Sequence, residues 1–331
     1  MKKFVNDPRQ FVPEFLEGVQ LASGGSLKYE PKYNLIYRAD MPKADRVSII
    51  QGSGSGHEPA HTMIVGPGML DAACPGDVFA GPPVEFVTET SKLMDTPAGV
   101  LYIVNNYTGD RSAWEMAKEL CEAEGQKIGY LLVNDDVAVK DSTWTVGRRG
   151  VAGNFFVIKA AAAVADQGGS LDECVRVGEK VIANVRTMGV ALSSCTPPVR
   201  GTPLFDIGDD EMEVGIGIHG EPGRQRTKLT SANEIVDLLL DAIVPDLPFE
   251  SGDEVALMVN GLGGTPISEL YILYGRAHAQ LADRGINVTR SYVGEYCTSL
   301  DMAGASVTLV KLDDELNDLF DAPAEVAVRV F

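Results

Sequence analysis

Four histidines are spread over 331 residues, and three of them sit in two glycine-framed loops. The first reads Gly52-Ser53-Gly54-Ser55-Gly56-His57-Glu58-Pro59-Ala60-His61, the second Glu213-Val214-Gly215-Ile216-Gly217-Ile218-His219-Gly220-Glu221-Pro222-Gly223. Imidazole gains or loses a proton near neutrality, and a neutral ring nitrogen is a nucleophile. Glycine lets the backbone approach a ligand closely. A carboxylate completes the set: Asp110 closes the run Asn105-Asn106-Tyr107-Thr108-Gly109-Asp110 after an apolar stretch. There it serves equally as an acid–base group at a strand end or as the N-cap of the next helix.

Other chemistries fit these residues less well. His57-Glu58-Pro59-Ala60-His61 matches the zinc-protease pattern H-E-x-x-H, which needs both histidines in mid-helix. Five Gly/Ser residues precede it and Pro59 interrupts it, so the reading is a turn with a helix starting near Glu58 and no metal. Gly215 to Gly220 fits G-x-G-x-x-G, but a turn follows where a dinucleotide site needs a helix N-terminus. No P-loop is written, and Ser53 and Ser55 lack the frame of a hydrolase nucleophile. His278 falls inside a helical stretch and reads as surface or packing.

The elements that must position the loops follow from periodicity. Asp7-Pro8 opens a helix. Strand Val47–Gln51 leads into the first loop, helix Pro82–Met94 precedes strand Val100–Val104, and a helix from about Ser112 to Glu124 precedes strand Ile128–Val133. This alternation predicts an α/β fold whose first half is a doubly wound, mainly parallel sheet. Helices follow at Asn154–Asp166 and Leu171–Arg186. A Pro-rich polar loop places a boundary near Met188, giving domains 1–187 and 188–331. The second, smaller half, α/β or α+β, runs strand Glu213–Ile218, helix Ala232–Ile243, strand Glu254–Asn260, a helix to Arg284, and strands near Val288 and Val307.

Length makes two domains the expectation. A formal charge of −19 argues against nucleic acid or an anionic membrane surface as partner. No apolar run approaches the ~20 residues that span a bilayer, and the N-terminus lacks a signal-peptide core. Five widely spaced cysteines (Cys74, Cys121, Cys174, Cys195, Cys297) suit a reducing cytoplasm and read as buried small residues.

In order along nearly the whole chain, several segments resemble the K subunit of dihydroxyacetone kinase. They are Gly54 to His61, Asp71 to Gly76, Asn106 to Asp110, Gly147-Arg148-Arg149-Gly150-Val151-Ala152-Gly153, Glu211 to Gly223, Ser268 to Arg276, and Tyr296 to Met302. The resemblance implies that His219 binds the ketone carbon of a short ketose as a hemiaminal. That link is reversible and cannot proceed to a Schiff base, because the alkylated nitrogen has no proton to lose. It admits carbonyl compounds and rejects glycerol. The resemblance assigns acid–base work to His57 and Asp110, and the substrate wall and backbone donors to Gly54, Ser55 and Gly56, in a pocket between the domains. It also implies a homodimer, and a separate L subunit carrying Mg and ADP or ATP, recharged in some relatives by a phosphotransferase-system M subunit. The family usually has lysine where this chain has Asn105, a substrate-site position, which opens erythrulose as an alternative to dihydroxyacetone. A non-catalytic ketose-binding coactivator of a transcriptional regulator is the other alternative, and the presence of both His57 and Asp110 favours the kinase.

Overall fold

The computed structural model describes residues 2–139 and 147–327; residues 1, 140–146 and 328–331, which belong to the two expected domain ranges, lie outside them. The Asp7 carboxylate accepts from the Arg9 amide and starts a 3-10 turn over Pro8–Gln10, and α1 (Phe11–Ala22) follows it. The first half then runs β1 (Leu27–Glu30), β2 (Leu35–Arg38), β3 (Ser48–Gln51), β4 (Gly54–Ser55), β5 (Ala72–Ala73), β6 (Gly76–Val78), α2 (Val84–Met94), β7 (Val100–Asn105), α3 (Thr108–Ala123), β8 (Ile128–Val133), α4 (Asn154–Asp166) and α5 (Leu171–Asn184). The second runs β9 (Val185–Ala191), β10 (Glu211–Val214), β11 (Gln225–Lys228), α6 (Ala232–Ile243), β12 (Glu254–Gly261), α7 (Ile267–Asp283), β13 (Asn287–Gly294), β14 (Gly304–Lys311) and α8 (Asp314–Asp321).

The first sheet has the order β1-β2-β5-β3-β7-β8. β5, β3, β7 and β8 are mutually parallel, and the β1–β2 hairpin joins β5 antiparallel. Every residue of β3 and β7 is buried, as expected of parallel strands covered on both faces. Val87 of α2 and Trp114 of α3 pack on Ile50, Tyr102 and Val104; α4 packs on Ile49, Leu101 and Ile103 of the opposite face. The fold is therefore α/β, with a doubly wound, mainly parallel first sheet.

The second sheet, β11-β10-β9-β14-β12-β13, is mostly antiparallel; only β12 and β13 run parallel. Of the two expectations for this half, the α+β pattern describes it better. α6 and α7 cover one face through Val236, Leu240 and Leu270. The other face meets α4, whose residues 154–165 are all buried. A single apolar cluster joins α4 to Ile49 and Leu101 of the first sheet and to Ala256, Met258 and Val310 of the second. An Ala-rich helix, mostly apolar on every face and with its buried Lys159 satisfied by the Leu319 and Ala322 carbonyls, is suited to such a place between two layers. The expected helix Leu171–Arg186 ends two residues early, because Val185 and Arg186 already pair with Val310 and Leu309. Met188 consequently lies inside β9, and the chain passes between sheets at Asn184–Val185.

Candidate active site

Both histidine loops leave strand ends, and the fold brings them together. From β3 the chain passes Gly52, whose carbonyl accepts from the Trp114 indole at 2.9 Å, and β4 then pairs parallel with β6. No α-helix begins at Glu58. Its carboxylate turns back to accept from the Gly56 amide, and a 3-10 turn over Thr62–Ile64 is all that follows. A side chain that satisfies the amide two residues earlier makes a turn rather than a helix start. Gly56 has φ +98°, and a Cβ there would lie 2.8 Å from the Phe79 ring, so glycine is required on both counts. The loop is stitched to the segment after β13: Thr298 N donates to His57 O, Leu300 N to Gly56 O, and the Thr298 hydroxyl to Glu58 O.

The second loop also departs from expectation. The strand expected over Glu213–Ile218 stops at Val214, because Gly215 turns at φ +80° and donates to Gly189 O. A tight turn, with Gly217 N donating to Glu221 O, then presents His219. Arg149, from the Gly-Arg-Arg-Gly segment, is buried and braces this turn: it donates to Gly215 O at 2.7 Å and pairs with Asp136 at 2.7 Å.

The two imidazoles meet across 162 residues of sequence, with His57 Nε2 3.0 Å from His219 Nε2. His57 Nδ1 donates to Thr298 O at 2.8 Å, and His219 Nδ1 to the Glu221 carboxylate at 2.8 Å. Phe79 stacks on His57 at 5.1 Å, and Tyr107 meets the His219 ring edge-on at 4.6 Å. His57 is fully buried, whereas the His219 side chain is 16% exposed and so open to a ligand. Burial, and then the charge of His219, hold His57 well below the ordinary imidazole pKa. Burial also opposes a charge on His219, but the Glu221 carboxylate outweighs it and the pKa is raised. Glu221 is ionised: against the pull of burial, His219 keeps it at about 2.

Asp110 lies in the first turn of α3, whose N-cap is Tyr107, so the capping role is overturned. Its buried carboxyl leaves Oδ1 without a hydrogen-bond partner. Burial raises its pKa to about 6, with the His219 charge acting in the opposite sense. A carboxylate of that pKa is ionised at neutrality yet basic enough to take a proton. The Ser55 hydroxyl is engaged with Gly76 O, and the Gly56 amide with Glu58. Asn105, at the end of β7, meets Asn154 of α4 at 3.4 Å and leaves its buried Nδ2 unpartnered. His61 turns away from the pair to Gln51 Oε1 at 2.5 Å, and burial lowers its pKa to about 3, so the H-E-x-x-H histidines face different partners. His278 is on the exposed side of α7, and all five cysteines are buried and unpaired.

Sequence reasoning assigned no role to Glu221, Thr298, Phe79, Tyr107 or Arg149. Glu221 was visible two residues after His219, but its segment reads as a plain turn. The others come from distant parts of the chain, and no local spacing links them to the histidines.

Residues 17–328 match the Dak1 domain. The chain is 46% identical over 315 residues to the "PTS-dependent dihydroxyacetone kinase 1, dihydroxyacetone-binding subunit DhaK" of Listeria innocua, covering 95% of each chain. Its fold superposes on the "dihydroxyacetone kinase operon co-activator Dha-DhaQ" with TM-score 0.90 at 32% identity, covering 96% of this chain and 97% of that one. It superposes on the dihydroxyacetone kinase from C. freundii "in complex with AMP-PNP and Mg2+" with TM-score 0.87 at 32% identity, covering 99% of this chain but 60% of that one. With the paired histidines on an α/β frame and a family match along almost its entire length, the chain belongs to the Dak1 family.

Proposed function

We propose that this chain is the ketose-binding subunit of a dihydroxyacetone-type kinase and that it holds its substrate as a hemiaminal on His219. The observation that carries this reading is the Nε2–Nε2 contact of His57 and His219, with an ionised Glu221 behind one ring and Asp110 beside it. His219 Nε2 is the nitrogen aimed into the site, because Nδ1 is tied to Glu221. Bond formation to the carbonyl carbon pushes the π electrons onto oxygen, and His57 is placed to deliver the proton that oxygen needs. The rings must part to admit the carbonyl, so capture and opening of the pair are one event. Asp110 then takes the proton from the terminal hydroxyl as that oxygen attacks phosphorus.

The phosphoryl donor and its Mg belong to a partner subunit in this proposal. The C. freundii kinase solved in complex with AMP-PNP and Mg2+ is longer than this chain, and the part matched here is 60% of it. The Listeria relative is called PTS-dependent, which supports a donor recharged through a phosphotransferase relay rather than free ATP. Asn105 is where the choice between triose and tetrose is to be sought, since its unpartnered amide offers a neutral donor.

Intact mass spectrometry with dihydroxyacetone and erythrulose tests the reading. The wild-type chain should gain one ketose mass and the His219→Ala variant none; an adduct of equal yield on the variant would refute His219 as the anchor.

A further inference from the structure

Glu221 does more than choose which nitrogen of His219 faces the site, because it makes two contacts with that residue. Oε1 accepts from the ring Nδ1 at 2.8 Å and Oε2 from the backbone amide at 3.0 Å. The ring contact fixes a tautomer. An ionised carboxylate only accepts, so His219 Nδ1 carries hydrogen. The Thr298 carbonyl likewise only accepts, so His57 Nδ1 carries hydrogen too. If both rings were neutral, each Nε2 would present a lone pair, and 3.0 Å would be a repulsive contact. That distance is a hydrogen bond only when the two rings together hold one extra proton. Glu221 touches one ring and not the other, so the charge resides on His219 and its Nε2 donates to His57.

We infer that Glu221 is a positioning residue that keeps His219 cationic before and after ketose capture, so that the adduct is an imidazolium–carboxylate ion pair formed with no net exchange of protons with solvent. This rests on the reading that His219 captures the ketose. The balance closes as follows. The extra proton passes from His219 Nε2 to His57 Nε2. The freed lone pair of His219 forms the N–C bond, and the carbonyl π pair moves to oxygen. That oxygen takes the proton from His57 Nε2, which returns to its neutral form. His219 is now alkylated at Nε2, keeps its hydrogen on Nδ1 and remains a cation against Glu221. The site holds one positive charge and the same number of protons before and after.

The surroundings support a held cation. Besides Glu221, Asp110 favours charge on His219 and Arg149 opposes it. On His57, Glu221 favours charge, while His219 and His61 oppose it. Tyr107 and Phe79 make T-shaped contacts with the His219 ring and bring no formal charge. Gly217 makes room for the arrangement, since a Cβ there would lie 2.0 Å from Glu221 Oε2.

The experiment is isothermal titration calorimetry of the full chain with dihydroxyacetone at pH 7, in two buffers of different ionisation enthalpy. It is run on wild type, Glu221→Gln and Glu221→Asp, with the adduct followed by mass. Wild type should bind with no proton released. Loss of the charged partner leaves the two rings of Glu221→Gln neutral, so that variant should bind about tenfold or more weakly and must take up a proton to reach the same cationic adduct. Glu221→Asp should regain affinity. Release of a full proton by wild type would overturn the inference even if Glu221→Gln fails to fold, and so would a Glu221→Gln variant with wild-type affinity and no proton uptake. Those results leave ketose capture standing. Absence of any wild-type adduct would instead sink the capture reading and this inference with it.

Discussion

Replacing Asp110 with asparagine should abolish turnover while making the protein more stable. The carboxyl is buried, one of its oxygens has no hydrogen-bond partner, and its pKa rises from the ordinary 3.8 to about 6. A raised carboxyl pKa means that the folded protein disfavours the ionised form. Stability is therefore full below pH ~4, falls between pH ~4 and ~6, and above that is reduced by up to about 3 kcal/mol. Asparagine has no charge to bury, so Asp110→Asn should gain several degrees in melting temperature at pH 7.5 and nothing near pH 4. Turnover moves the other way. A base of pKa about 6 leaves the wild-type enzyme about tenfold slower at pH 5 than at neutrality, and removing it costs roughly 10²–10⁴-fold. The assay is single-turnover phosphorylation of ketose with a pre-charged partner subunit, alongside thermal melts at both pH values and intact mass to confirm that the variant still captures ketose. Turnover within threefold of wild type would refute Asp110 as the base. A variant that melts lower than wild type at pH 7.5 would refute the electrostatic reasoning.

Two further substitutions probe the frame of the site. Gly217→Ala places a Cβ 2.0 Å from Glu221 Oε2 and 2.6 Å from the Arg149 guanidinium, so Glu221 must leave His219, and adduct yield by mass should fall at least tenfold. An unchanged yield would show that the turn can shift without cost. Arg149→Met strands the buried Asp136 carboxylate and frees the Gly215 carbonyl, so it should destabilise by about 3–5 kcal/mol in urea melts; a loss under about 1 kcal/mol would mean that Asp136 finds another partner.

Local pattern made much of the frame legible. α4, α6 and β8 begin and end where the sequence placed them, α4 from its alanine content and the other two from an uninterrupted hydrophobic pattern. The glycine-framed loops drew attention to His57 and His219 before any contact was known. The misreadings share a cause. Glu58 was expected to start a helix, and the strand after Glu213 was expected to continue; in both places a side-chain or glycine turn overrides the pattern. Only the first two residues of β9 were read as helix and the rest as a boundary near Met188, because its register is set by β14, more than a hundred residues away.

The sequence by itself determined which side chains are available: two histidines in flexible frames, a carboxylate at the start of a helix, and the apolar periods that bury an α/β core. Only the tertiary structure decided what those groups are. Imidazole chemistry depends on which nitrogen carries hydrogen and on what charge faces the ring. Those are set by Thr298 for one ring and Glu221 for the other, by the packing of Phe79 and Tyr107 around the pair, and by a ring-to-ring contact between loops 162 residues apart. Spacing along the chain cannot carry this information, because proton position is fixed by neighbours in space.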